Sequence, residues 1–231
     1  MKNNYDLKTF EVSDDLVQAL SLKIISELNE AIQNRGSAFL AVSGGSTPKK
    51  LFQALSKLDL EWSKVTITLV DERWVAPYEI DSNENLVREH LMQNKAKDAK
   101  FIALKNIMKK AIDGEVITLK RLQKIDHLDV VILGMGTDAH TASFFPHAHN
   151  LEKLLTTEDL CSATQASAKP KDRMTLTKNF LLSAKSLILH IEGESKKTVF
   201  DAASQSDDLY TMPIIAMMQQ EKPTLEVYYA K

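Results

Sequence analysis

The chain is poor in the residues that build disulfide scaffolds, flexible linkers and membrane anchors. One of its 231 residues is a cysteine, Cys161. That excludes an intramolecular disulfide and any zinc site built on several thiolates, and its ordinary reading is a small buried apolar residue in a reducing compartment. Seven glycines and six prolines leave little material for long linkers. No apolar run reaches the roughly 18 residues that a membrane-spanning helix needs. The opening MKNNYDLKTFEVSDD has no apolar stretch of the secretory kind, so a cytoplasmic protein is expected. A surplus of one charge is missing too: 29 Lys and Arg against 31 Asp and Glu give a net charge of −2, with no basic run to suit nucleic acid.

What remains is an ordinary globular composition, 44% hydrophobic and 26% charged, over a length that fits one large α/β unit spanning residues 1–231. Ser13, Asp14 and Asp15 open a helix in which Val17, Leu20, Ile24, Leu28 and Ala31 recur at steps of three and four until Gly36. Ala38 to Val42 then reads as a buried strand, a glycine turn follows, and Pro48 is expected at the first helical position. Strands are also expected at Val65 to Val70, Asp129 to Leu133, Ser186 to Ile191 and Leu225 to Ala230. Helices are expected from Ser82 or Asn83 to Leu91, near Glu115 to Ile125, near Lys178 to Ala184 and from Lys196 to Ala203. This alternation predicts a mostly parallel sheet flanked by helices on both faces.

Ligands of such sheets bind beyond the carboxyl ends of the strands. Three polar segments follow predicted strands and should meet in one cleft: Ser43 to Thr47, Asp71 to Arg73, and Gly134 to Ser143. In the first, Gly44 and Gly45 let the backbone approach an anion while Ser46 and Thr47 supply hydroxyls. It lacks P-loop spacing, and a plain strand-to-helix turn explains it equally well. Gly134-Met135-Gly136-Thr137-Asp138-Ala139 formally fits the dinucleotide pattern G-x-G-x-x-G/A. However, Phe144-Phe145-Pro146 interrupts the helix that pattern requires, and neither Glu158 nor Asp159 follows an apolar strand, so a nucleotide is the weaker reading. His140, beside Asp138 and two hydroxyl residues, is placed to take a proton from water. His147 and His149 read as a solvated loop rather than metal ligands, and His190 as a strand residue. Arg73 offers a donor fork for an anion, or else a salt bridge to Asp71 or Glu72.

Ser43-Gly44-Gly45-Ser46-Thr47-Pro48, Asp71-Glu72-Arg73, Ser82-Asn83, the run Gly134 to Pro146, Arg173-Met174-Thr175 and Gly193-Glu194-Ser195-Lys196 together resemble the 6-phosphogluconolactonases, in order and over most of the chain. Related glucosamine-6-phosphate deaminases look like D-G-H-I-A-F-N-E-P where this chain has His140-Thr141-Ala142-Ser143-Phe144-Phe145-Pro146, and favour D-E-Y where Arg73 stands. The resemblance implies a Rossmann-like fold of the sugar phosphate isomerase type and hydrolysis of a sugar phosphate lactone, with no nucleotide, metal or other cofactor. Carried over by motif, His140 becomes the general base, Asp138 its orienting partner and Arg73 the stabiliser of developing charge. Gly44, Gly45, Ser46, Thr47, Arg173 and Lys196 become the phosphate binders. An isomerase or deaminase of amino sugar phosphates and a non-catalytic sugar phosphate sensor are the alternatives. The family usually has Gly where Ala139 stands. Here Asp138 is expected to cap a short helix running toward Phe144, with Ala139 at negative φ in its first turn.

Overall fold

The computed structural model describes residues 3–231. In chain order its elements are β1 (Tyr5–Phe10), α1 (Ser13–Arg35), β2 (Ala38–Val42), α2 (Lys49–Leu55), β3 (Val65–Leu69), β4 (Asp71–Arg73), α3 (Asn83–His90), β5 (Lys100–Ile102), α4 (Ala111–Leu122) and β6 (Val130–Leu133). There follow α5 (Leu151–Thr156), β7 (Cys161–Gln165), β8 (Asp172–Leu176), α6 (Lys178–Leu181), β9 (Ser186–Glu192), α7 (Glu194–Ser204), α8 (Ile215–Met218) and β10 (Leu225–Ala230).

Seven strands form one parallel sheet in the order β1-β10-β9-β6-β2-β3-β5. All four residues of β6 are buried, as expected for a central parallel strand covered on both faces. Leu16, Leu20, Ile24 and Leu28 of α1 are fully buried, one apolar stripe at helical spacing that closes over the sheet. The helix stops at Gly36, whose φ of +79° is the left-handed cap that glycine adopts without strain.

The strand order fixes where a ligand can sit. From β2 the chain moves outward to β3 and β5, then returns to place β6 on the other side of β2. The connections therefore diverge between β2 and β6, opening a crevice at their carboxyl ends. The Ser43 turn and the Gly134 loop leave the sheet at this point, where the Ser43 N–H donates to the Ile132 carbonyl of β6 at 2.9 Å.

Asp71 to Arg73 follow β3 as expected, and they form a strand of a second, antiparallel sheet, β4-β8-β7. Its register pairs Asp71 with Thr175, Glu72 with Met174 and Arg73 with Arg173. Pairing across a hundred residues leaves no local pattern to read. Pro48 lies one position before α2 instead of inside it. No helix runs from Asp138 toward Phe144; the segment is a chain of turns.

Candidate active site

All three polar segments converge, with Arg173 and Lys196, on one cleft of about 450 Å³ at the strand ends. Gly44, Gly45, Ser46, Thr47, Arg73, Asp138 and His140 all line it. Two glycines shape the first wall. Gly45 has φ of +96°, a conformation L side chains rarely adopt. Gly44 passes so close to α3 that a Cβ would lie 1.9 Å from Asn83 Oδ1. Asn83 is held in turn by its Nδ2, which donates to the Asp71 carbonyl at 2.9 Å.

Under this wall the fully buried Glu72 carboxylate gathers four donors. They are the N–H groups of Arg73 (2.7 Å), Asn83 (2.8 Å) and Glu84 (2.8 Å), and the Ser82 hydroxyl (3.1 Å). Ser82 is also the N-cap of α3, accepting from Asn85 N–H. Glu72 thus ties β4 to the start of α3 and sets the direction in which Arg73 leaves the strand. Burial pushes its carboxyl up to about 7, against the pull of the backbone donors. Asp71, also buried, accepts from the Ser143 hydroxyl at 2.5 Å and so fastens β4 to the loop after β6. Sequence reasoning gave roles to neither Glu72, Asp71, Asn83 nor Ser143. Their advance signals were an acidic pair at a strand end shortly before a Ser-Asn helix start and their place in the motifs that carry the resemblance.

Arg73 and Arg173 are directly opposed in the β4–β8 ladder, an arrangement that like charges disfavour. Arg73 donates from Nη1 to the Asp81 carbonyl at 2.7 Å, not to Asp71 or Glu72. Arg173 is 7% exposed, and its Nε and Nη1 have no partner. The guanidinium lies 5.8 Å from the centre of the Phe145 ring. Burial lowers its pKa, the Asp71 charge opposes that, and the Arg73 charge adds to it. Two adjacent guanidinium groups with spare donors in a cleft wall suit an anion. Across the cleft, Lys196 in the first turn of α7 donates from Nζ to the Thr47 hydroxyl at 3.2 Å. Burial lowers its pKa, and the nearby Glu192 carboxylate counters the effect.

His140 lines the same cleft. Its Nδ1 lies 2.5 Å from Asp138 Oδ1, which also accepts the His140 backbone N–H at 3.3 Å. The carboxylate therefore fixes the proton on Nδ1 and leaves the Nε2 lone pair unused. The hydrogen bond from His140 holds the Asp138 carboxyl below its ordinary range, outweighing its partial burial. Phe145 packs against the ring at a centroid distance of 4.9 Å. Gly136 permits the pair: a Cβ there would meet His140 Nδ1 at 2.3 Å and Asp138 Oδ1 at 2.5 Å.

Ala139 has φ of +65° and Ala142 of +48°, which overturns the expected negative-φ helix. The turn is closed by Gly136 N–H on the His140 carbonyl (2.9 Å) and Ala139 N–H on the Gly136 carbonyl (3.1 Å), and Ile214 N–H pins the Ala139 carbonyl (3.0 Å). These three bonds hold alanine in a left-handed conformation that costs it about 1 kcal/mol. Ala139→Gly should accordingly raise unfolding free energy in a denaturant titration by no more than about 1 kcal/mol, since glycine returns part of the gain as unfolded-chain entropy. Activity should change by less than about tenfold, or 1.4 kcal/mol of barrier. A larger gain would mean that alanine distorts the His140 turn.

A doubly covered parallel sheet with a cleft lined by Arg73, Arg173 and Lys196 and a carboxylate-held imidazole at its switch point defines an α/β protein whose cleft suits small anionic molecules. The family model described as glucosamine-6-phosphate isomerases/6-phosphogluconolactonase matches residues 11–226. A 6-phosphogluconolactonase of Rhizobium meliloti is 43% identical over 228 residues, covering 97% of this chain and 98% of that one. The crystal structure of a 6-phosphogluconolactonase from Shewanella baltica superposes with a TM-score of 0.97 at 46% identity, covering all of both chains. At 22% identity, the structure of the Trypanosoma brucei 6-phosphogluconolactonase shares the fold with a TM-score of 0.83, over 100% of this chain and 97% of that one. The chain belongs to the glucosamine-6-phosphate isomerase/6-phosphogluconolactonase family.

Proposed function

We propose that the chain, acting over residues 1–231 as one catalytic domain, hydrolyses 6-phospho-D-glucono-1,5-lactone to 6-phospho-D-gluconate, the lactone step of the oxidative pentose phosphate pathway. The observation that carries this reading is the Asp138–His140 pair, with Nε2 unused, between two anion-binding walls. His140 Nε2 takes a proton from water as the water oxygen bonds to the lactone carbonyl carbon. When the tetrahedral intermediate collapses, the bond from that carbon to the ring oxygen breaks, and the imidazolium returns the proton to the departing oxygen. Arg73 supports the oxygen on which negative charge develops. Gly44, Gly45, Ser46, Thr47, Arg173 and Lys196 hold the 6-phosphate. An activated ester needs no covalent enzyme intermediate and no metal for this chemistry. A substrate carrying a phosphate is retained by membranes, which suits a cytoplasmic enzyme.

The isomerase or deaminase reading is less well supported, because Arg73 stands where those enzymes favour tyrosine and Thr141, Ser143, Phe144 and Phe145 depart from their pattern. One assay separates the two. The purified chain, with EDTA present, should release acid from freshly generated phosphorylated lactone and should produce no ammonia or ketose from glucosamine 6-phosphate. The opposite pattern would overturn the proposal.

Lys196→Ala should act mainly through KM, because a phosphate remote from the carbonyl is bound alike in ground and transition states. Losing one charge-assisted contact should raise KM for the phosphorylated lactone by about tenfold or more and barely alter turnover of plain gluconolactone. An equal loss on both lactones would show that Lys196 does not bind the phosphate.

A further inference from the structure

The cleft contains a second histidine that the proposed mechanism does not use. His190 lies on β9 and is 2% exposed, yet it lines the cleft together with Ile132, Thr47 and Lys196. Its Nε2 lies 2.9 Å from Glu192 Oε1, while its Nδ1 is buried without a partner. The pair mirrors the catalytic one. In both, a carboxylate two residues away in sequence holds one ring nitrogen, Nδ1 in His140 and Nε2 in His190, and the other nitrogen is left over. A buried nitrogen without a partner requires an explanation, and at the wall of a binding cleft a ligand supplies one.

The surroundings indicate which part of the ligand. The parallel register places His190 beside Tyr228 of β10, whose hydroxyl is already engaged by Lys8 of β1. β6, on the other side, is entirely apolar. Glu192 is the charged group on its own strand. Ser13 of α1 and Lys50 of α2 act on Glu192, and Lys196 of α7 senses Glu192 in turn. The partner available to Nδ1 is therefore at the Thr47–Lys196 end of the cleft, where the proposed function seats the 6-phosphate. An imidazole between the Glu192 carboxylate and an incoming phosphate dianion has negative charge on both sides, which favours its doubly protonated form.

We propose that His190 is a phosphate-recognition residue, held by Glu192 through Nε2, that takes up a proton and donates from Nδ1 as the phosphorylated ligand binds. This inference rests on the function proposed above. The proton goes to His190 Nδ1 from solvent, and no covalent bond is made or broken. The test is calorimetric binding of 6-phosphogluconate near pH 8, where a phosphate of second pKa about 6 is already a dianion, in two buffers of different ionisation enthalpy. Wild type should take up protons on binding, and His190→Gln and Glu192→Gln should take up far fewer. In kinetics, both variants should lower the ratio of kcat/KM on the phosphorylated lactone to that on plain gluconolactone by about tenfold. Glu192→Gln leaves the imidazole in place and keeps the test open if His190→Gln folds poorly. Proton uptake that persists in both variants, or an unchanged ratio, overturns the role of His190 while the lactonase reading stands. A wild-type chain without activity on the lactone overturns both.

Discussion

His140→Ala should lower kcat on the phosphorylated lactone by roughly a hundredfold or more, the usual scale of general acid–base catalysis, while 6-phosphogluconate still binds with near wild-type affinity. The reasoning is local. Asp138 occupies Nδ1 at 2.5 Å, so the nitrogen left to meet water is Nε2, and truncation removes the proposed base without touching the Ser43 to Thr47 turn, Arg173 or Lys196. His140 is about one-third exposed on its side chain, so little packing is lost with it, and the variant should remain folded. Kinetics and product binding measured side by side check both halves. A variant with full kcat would remove His140 from the reaction.

Gly136→Ala should be nearly as damaging without replacing any reacting group. The added methyl would lie 2.3 Å from His140 Nδ1 and 2.5 Å from Asp138 Oδ1. Both are side-chain ends that can swing aside, so the backbone should accommodate alanine while the Asp138–His140 pair does not. A displacement of about 1 Å at a reacting group can cost about a hundredfold, and kcat should fall by about that factor. Its circular dichroism and unfolding midpoint should stay close to wild type, and its affinity for 6-phosphogluconate should be largely kept. Wild-type turnover in Gly136→Ala would show that the 2.5 Å pair is not what positions the base.

The central strands were legible in the sequence because each carries its own signal. Ala38 to Val42 is an apolar run and Leu225 to Ala230 one broken only by Glu226, both next to turn residues, and they form β2 and β10 with those bounds. β1, with Asp6 and Lys8 between its apolar residues, is an edge strand and carries a weaker pattern. The β4-β8-β7 sheet had no local signal, since three charged residues become a strand only when Arg173 to Thr175 arrive beside them. Motif spacing located every residue expected in the cleft. It could not show that Arg73 and Arg173 would be neighbours, because register decides that. Nor could it single out His190, whose significance lies in an unpartnered nitrogen that only three-dimensional packing exposes. Ala139 was misread for a related reason. The residue type favours negative φ, and the three hydrogen bonds that force it to +65° include one from Ile214, 75 positions away.

The central claim is that the imidazole held by Asp138 accepts a proton from water. Its most direct test is kcat/KM for the phosphorylated lactone between about pH 5 and 8, corrected for spontaneous hydrolysis, in wild type and in His140→Ala. Asp138 is held below its ordinary 3.8 and stays ionised throughout. The Glu72 carboxyl, pushed up to about 7, and the substrate phosphate, of second pKa about 6, titrate in this window in both proteins, so the part of the acid limb that His140→Ala removes belongs to the imidazole. Wild-type kcat/KM should fall as pH drops, whereas the variant should be slow and lack that part of the fall. An acid limb that survives unchanged in His140→Ala would contradict the assignment of the base.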